Sequence, residues 1–221
     1  MRTIMMDVDG VLVSGRPIDG AHLFTDLEKD LGIPLDLLQR EFFVPRWPAI
    51  VTGQRLLEPE LADVLAAIAP DVAAETLIKY WFENDSRIDR EVLGAISELR
   101  RDGKRVFLAT NQEHRRASYL MNDMRLADHV DGIIYSAALG HRKPSAKFYE
   151  LATKFAQTRA SDIVLIDDAQ DNVLAARACG WGALHWKEGV TAATLIAFSA
   201  KGAPNLSDAP QLKKPAPCRA G

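Results

Sequence analysis

Five short apolar, β-rich runs punctuate the chain: TIMM at 3–6, RVFLAT at 105–110, GIIYS at 132–136, DIVLID at 162–167 and GALHW at 182–186. Stretches of helical period lie between them. Strands that are apolar on both faces and separated by amphipathic helices predict a parallel sheet with helices on each side, an α/β core. The helices have readable ends. Asp89 is placed to cap a helix whose apolar face is Val92, Ile96 and Leu99 and which Gly103 ends. A second begins after Pro144 and carries Phe148, Leu151 and Phe155 at similar spacing.

The interval between the first two strands is far longer than a strand-to-helix connection needs. Residues 15–87 hold several helical patterns of their own, AHLFTDLEKDLG, LDLLQREFF, EPELADVLAAIA and VAAETLIKYWF, and predict a helical domain inserted after the first strand. The core is then expected at 1–14 and 88–199. From residue 200 the sequence turns to Pro, Ala and Lys without apolar period, and a disordered tail is expected over 200–221.

With 27 basic and 30 acidic residues, the net charge of −3 supplies no general attraction to nucleic acid or to an anionic membrane. A phosphate-bearing ligand would have to be held by a local site. Asp7 follows only six residues, so no signal peptide is expected ahead of it, and no segment approaches membrane-spanning length. The two cysteines, Cys179 and Cys218, suit a reducing, cytoplasmic setting.

The strand ends carry the chemistry. Asp7 and Asp9 follow the first strand, Thr110 and Asn111 end the second, Lys143 lies a few residues beyond the third, and Asp167 and Asp168 end the fourth. In a parallel sheet these ends share one edge, where open α/β sheets bind ligands. Four carboxylates gathered there raise one another's pKa unless a cation compensates them. Mg2+ suits a site of few carboxylates, waters and phosphate oxygens. Asp7 and Asp9, two apart on extended backbone, can face one side, and Gly10 lets the chain turn sharply. One could attack phosphorus to give an aspartyl phosphate while the other moves protons, and Thr110, Asn111 and Lys143 offer donors to the phosphoryl oxygens.

DVDGV at 7–11, ATN at 109–111, RKP at 142–144 and IDDAQDN at 166–172 occur in the order of the four motifs of the haloacid dehalogenase-like hydrolase superfamily, which this chain resembles over 1–14 and 88–199. ATNQEHRRASYL and YSAALGHRKPSAKFYELA look most like the branch with a helical cap after the first motif, which includes sugar-phosphate phosphatases and the N-terminal phosphatase domain of soluble epoxide hydrolases. The resemblance implies a Rossmann-like core and a Mg2+-dependent phosphomonoesterase acting on a small phosphate ester, with sugar phosphates among the candidates. It makes Asp7 the nucleophile and Asp9 the acid/base. Asp7, the Asp9 carbonyl and Asp168 would hold Mg2+, with Asp167 beside the metal or its waters and Asn172 orienting the acidic loop. Val11 stands where many relatives carry Thr.

A 2-haloacid dehalogenase usually has a bulky aromatic residue in the place of Asp9, so retention of Asp9 favours the phosphatase. A receiver domain has its acidic pair before the phosphorylated Asp and lacks the insertion. A non-catalytic binding protein on the same fold is the third alternative. Elsewhere structural roles are expected: a charged helix face for His114, Arg115 and Arg116, packing for Trp181, Trp186 and Cys179, and anchoring of the helical domain by Arg46, Trp47 and Arg55.

Overall fold

The computed structural model describes residues 2–200. Of the tail expected from residue 200, all but Ala200 lies outside the described residues, and Cys218 with it.

Strands β1 (Thr3–Met6), β2 (Arg105–Thr110), β3 (Gly132–Tyr135), β4 (Ile163–Asp167) and β5 (Gly182–His185) form one parallel sheet in the order β3-β2-β1-β4-β5. Three strands are one residue shorter than the sequence runs. Ser136 opens a helix, and Asp162 sits in a 3-10 turn whose N–H bonds Arg159 O at 2.9 Å. Trp186 leaves the strand while its N–H still bonds Asp167 O at 2.8 Å.

Strand alternation sorts the core into two layers. Ile4 and Met6 of β1, Val106 and Leu108 of β2 and Val164 and Ile166 of β4 face α6 (Arg90–Arg101), α7 (His114–Asn122) and α11 (Ala192–Ala200). Met5, Phe107, Ala109 and Leu165 face the other way, onto α9 (Ala146–Ala156) and α10 (Gln170–Ala178). Asp89 caps α6 as expected, accepting the N–H groups of Glu91 and Val92 at 2.9 and 3.0 Å, and Gly103 follows it with φ +76°. The short α8 (Ser136–Leu139) follows β3 directly.

Between β1 and α6 five helices, α1 (Leu27–Leu31), α2 (Leu35–Leu38), α3 (Trp47–Ile50), α4 (Leu57–Ile68) and α5 (Ala74–Asn84), close around an apolar cluster of their own. Trp81 is its hub, with ring centroids 5.3–5.9 Å from those of Trp47, Phe43, Phe82 and Phe24. The helical pattern in AHLFTDLEKDLG is realised only over its last turn. Residues before it are held in local turns by Phe24 N–H to His22 Nδ1 (3.2 Å) and by Arg16, whose guanidinium pairs with Asp19 and Asp26. Gln39–Phe43 widens into a π-helical turn, with Val44 N–H bonding Gln39 O at 2.9 Å.

The two chain crossings between this helical group and the sheet lie side by side. Val13 and Ile88 form an antiparallel bridge, flanked by Ser14 N–H to Arg87 O (3.0 Å), Arg87 N–H to Gly15 O (3.2 Å) and Asp89 N–H to Leu12 O (2.9 Å).

Ile96 is fully buried beneath β1 and β2, whereas Ile18 is 89 % exposed. Ile96→Ala is expected to cost about 2–5 kcal/mol through lost burial and a residual cavity. Ile18→Ala should stay within about 0.5 kcal/mol. Denaturant melts of the two variants check this, and similar midpoints would contradict the packing described.

Candidate active site

The strand order reverses at β1: the chain builds β2 and β3 on one side and then crosses to β4 and β5 on the other. Such a switch point leaves a crevice at the carboxyl ends of the two adjacent strands, here β1 and β4. Asp7 follows β1 and bonds Ile166 O through its N–H at 2.9 Å, while Asp167 is the last residue of β4. The chain then folds back at once. Val8 O accepts the N–H groups of Leu12 and Val13 at 2.9 Å, and Gly10 N–H bonds Val13 O at 2.9 Å. Gly10 has φ +75°, and a Cβ there would stand 2.2 Å from Asp168 Oδ2. Only glycine both turns this loop and lets the Asp168 carboxylate in so close.

Lys143 is the electrostatic centre. Its buried ammonium contacts Asp7 Oδ1 at 2.9 Å, Asp167 Oδ2 at 2.6 Å and Ala109 O at 2.7 Å, which uses all three of its donors. Asn111 fixes the backbone that carries it: Asn111 Oδ1 accepts Lys143 N–H at 2.8 Å and Asn111 Nδ2 donates to Lys143 O at 3.0 Å. The Asn111 side chain therefore sets the lysine loop, which leaves its main chain for any contact with phosphate. Asp167 is fully buried and saturated, accepting from Ala169 N–H (2.9 Å) and from Asn172 Nδ2 (3.0 and 3.2 Å) besides Lys143. Asn172 is held in turn by Tyr149, whose hydroxyl donates to Asn172 O at 2.8 Å. Thr110 is buried at the end of β2, next to β1.

One cation between two carboxylates leaves negative charge in excess. Burial would lower the Lys143 ammonium, but Asp7 and Asp167 outweigh it and hold it above the usual lysine range. Burial pushes the Asp7 carboxyl up to about 7 despite Lys143, with Asp167 and Asp9 adding to the rise. The two rises are compatible, because the trio as a whole carries one charge too many. Asp168 is exposed and raised by desolvation and by Asp167.

Carboxylate oxygens of Asp7, Asp167 and Asp168 lie within 4.8 Å of one another. Hard anionic oxygens with uncompensated charge fit a small divalent cation, and Mg2+ in particular. Asp7 and Asp168 would hold it, since the Asp167 oxygens are already engaged.

Asp9 is open to the crevice, yet desolvation and Asp85 raise its carboxyl against the pull of Arg116 and Gln112. Gln112, unassigned from the sequence although it directly follows ATN, is buried and donates from Nε2 to Asp9 Oδ2 at 2.6 Å. Arg116 departs from the charged helix face expected of it. It is 1 % exposed, bonds Phe82 O at 3.2 Å and Asp85 O, pairs with Asp85 Oδ2 at 3.2 Å, and stacks on the rings of Phe82 and Tyr119 at 5.3 and 5.5 Å. Acidic partners supplied by distant segments bury it, which helical period alone does not reveal. Arg115 pairs with Glu58 and Glu75, Arg46 with Glu60 and Asp63, and Arg55 with Glu60. Trp181 is buried, its Nε1 donating to Thr153 at 2.9 Å, and Cys179 and Trp186 are partly buried against the core.

The family model of haloacid dehalogenase-like hydrolases matches residues 1–180. The Aspergillus oryzae sesquiterpene phosphatase astK is 35 % identical over 99 residues, 45 % of this chain and 50 % of that protein. A phosphoglycolate phosphatase of Pseudomonas fluorescens is 27 % identical over 195 residues, 81 % of this chain and 66 % of that protein. The chain thus spans half of the first relative and just under two thirds of the second. Among solved structures, the Bacteroides thetaiotaomicron HAD family enzyme bt-2542, in complex with magnesium and inorganic phosphate, superposes with a TM-score of 0.74 at 15 % identity, covering 89 % of this chain and 99 % of that one.

Gly10→Ala should leave the protein folded but displace the Asp168 carboxylate, so that the rise in Tm on adding Mg2+ shrinks or disappears. An unchanged rise would rule out the close approach as a requirement. The Asp7 pKa gives a second expectation. A carboxyl raised from 3.8 to about 7 binds its proton more tightly in the folded state, so its contribution to stability is full below pH 4 and is lost as pH rises through 7. In metal-free buffer Asp7→Asn should therefore gain in Tm over wild type, and gain more at pH 8 than at pH 5. A pH-independent difference would contradict it.

Proposed function

Because the chain belongs to the haloacid dehalogenase-like hydrolase family, we propose that it is a Mg2+-dependent phosphomonoesterase acting on a small phosphorylated metabolite through an aspartyl phosphate. The observation that carries this reading is the pairing of Asp7, held by Lys143, with Asp9, open to the crevice two residues on. One carboxylate is set to attack and the other to exchange protons.

An Asp7 oxygen bonds to phosphorus as the bond from phosphorus to the ester oxygen breaks. The departing oxygen takes the proton of Asp9. Asp9, now a carboxylate, removes a proton from water, whose oxygen attacks the aspartyl phosphate and releases phosphate and Asp7. Lys143 keeps Asp7 in place and offsets charge on the phosphoryl group, while Thr110 and the main chain at Asn111 would donate to its oxygens. Asp7, Asp168 and the Asp9 carbonyl would hold Mg2+, which would supply positive charge to offset that of the phosphoryl group. The helical group over 15–87 serves as a cap that excludes water and limits access to small esters. Relatives described as phosphoglycolate phosphatase and sesquiterpene phosphatase support phosphate-ester chemistry and leave the alcohol open, a sugar included. The free thiol of Cys179 suits a cytoplasmic setting. No helix among the described residues is long and apolar enough to cross a membrane.

Phosphate release from a panel of small esters should require Mg2+, stop with EDTA and fall to background in Asp7→Asn. Asp9→Asn should lower kcat by about 100-fold or more, the usual contribution of general acid–base catalysis, while still binding Mg2+. Release by purified Asp7→Asn equal to wild type would sink the nucleophile assignment. Turnover of 2-haloacids without metal, with no ester cleaved, would favour the dehalogenase.

A further inference from the structure

We propose that Gln112 is a positioning residue for Asp9: its side-chain amide occupies Asp9 Oδ2 and thereby makes Oδ1 the oxygen that carries and transfers the proton. The inference rests on the phosphomonoesterase reading and deepens it. Gln112 is 3 % exposed, and its Nε2 lies 2.6 Å from Asp9 Oδ2. An amide nitrogen can only donate, and the carbonyl oxygen of a carboxylic acid accepts better than its hydroxyl, so the acid form of Asp9 favours its proton on the other oxygen.

The amide is rigidly supplied. On one side of Gln112, Asn111 is clamped to the Lys143 backbone. On the other, the Glu113 side chain caps α7, accepting Arg115 N–H at 2.8 Å and Arg116 N–H. Gln112 O accepts Ala137 N–H at 3.2 Å and lies 3.2 Å from Ser136 Oγ. That hydroxyl also donates to Val51 O of the helical group at 2.6 Å. The Asp9 end is fixed by the turn at Gly10. The residue that aims the acid is thus braced by the lysine loop, its own helix start and the insertion.

The hydrogen bond from the amide strengthens when Asp9 becomes an anion, so it favours the proton release that the first step needs. As the Asp7 oxygen bonds to phosphorus, the electron pair of the breaking P–O bond goes to the ester oxygen. That oxygen takes the proton from Asp9 Oδ1, and the new Asp9 carboxylate keeps the Gln112 N–H on Oδ2. The demand for this proton is large for an alkyl ester and small for a nitrophenyl ester, whose leaving group departs as a stable anion.

The test compares kcat/KM for an alkyl phosphate and for p-nitrophenyl phosphate in wild type, Gln112→Met and Gln112→Glu, alone and combined with Asp9→Asn. Both Gln112 variants keep the side-chain volume, and Gln112→Glu keeps a polar group should Gln112→Met not fold. The alkyl ester is expected to lose about 10-fold or more and the aryl ester under about 3-fold, the former a part of the roughly 100-fold or greater contribution of general acid catalysis. On the Asp9→Asn background the Gln112 substitution should add nothing, because the two residues act as one unit. Equal losses on both esters, or additive losses with Asp9→Asn, would overturn the positioning role while leaving the enzyme a phosphatase. Wild type inactive on both esters would overturn the phosphomonoesterase reading and the inference with it.

Discussion

The site depends on one buried ammonium. Lys143 spends all three donors on Asp7, Asp167 and Ala109 O, and so ties the end of β1 to the ends of β2 and β4. Taking such charges out of water costs several kcal/mol each, and the neighbouring hydrogen bonds offset part of that cost. Asn111 holds the lysine backbone, Ala169 and Asn172 hold Asp167, and Tyr149 holds Asn172. Removing the lysine would leave two carboxylates facing each other in a dry crevice.

The remaining imbalance is useful. A cluster with all its charges cancelled would have no affinity for a cation or for phosphoryl chemistry. The excess negative charge on Asp7 and the exposed Asp168 instead suit a divalent cation. Geometry limits how such an ion is held: Gly10 brings the β1 loop against Asp168, and any side chain there would take the space of the carboxylate. The same loop exposes Asp9 while Asp7 stays buried, so two aspartates two residues apart work in different environments.

Much of this is written in local sequence. Strand alternation such as Ile4 and Met6 against Met5, the Asp89 cap and the succession of polar strand ends are visible because each is set by neighbours within a few residues. What escapes is set by distant partners. Arg116 reads as a surface charge because Asp85 and the Phe82 carbonyl come from another helix. Gln112 reads as a loop residue because the carboxylate it touches lies 103 positions away. Asn111 reads as a main-chain donor to phosphate, and the second task of its side chain, clamping the Lys143 loop, is hidden because that loop lies 32 positions away. The segment before Leu27 reads as helix because Arg16, which pins it to Asp26, precedes it by ten residues.

The paired crossings at Val13 and Ile88 make the helical group mechanically simple. Two separate tethers would let it slide and twist in several directions, but two strands hydrogen-bonded to each other bend as one strap. Any swing of the helices would turn about this one strap, located just beyond the loop that carries Asp7 and Asp9. Such a junction also makes a natural splice point: a different set of helices entered and left through the same pair of strands would inherit the orientation of the axis without moving an atom of the lysine cluster.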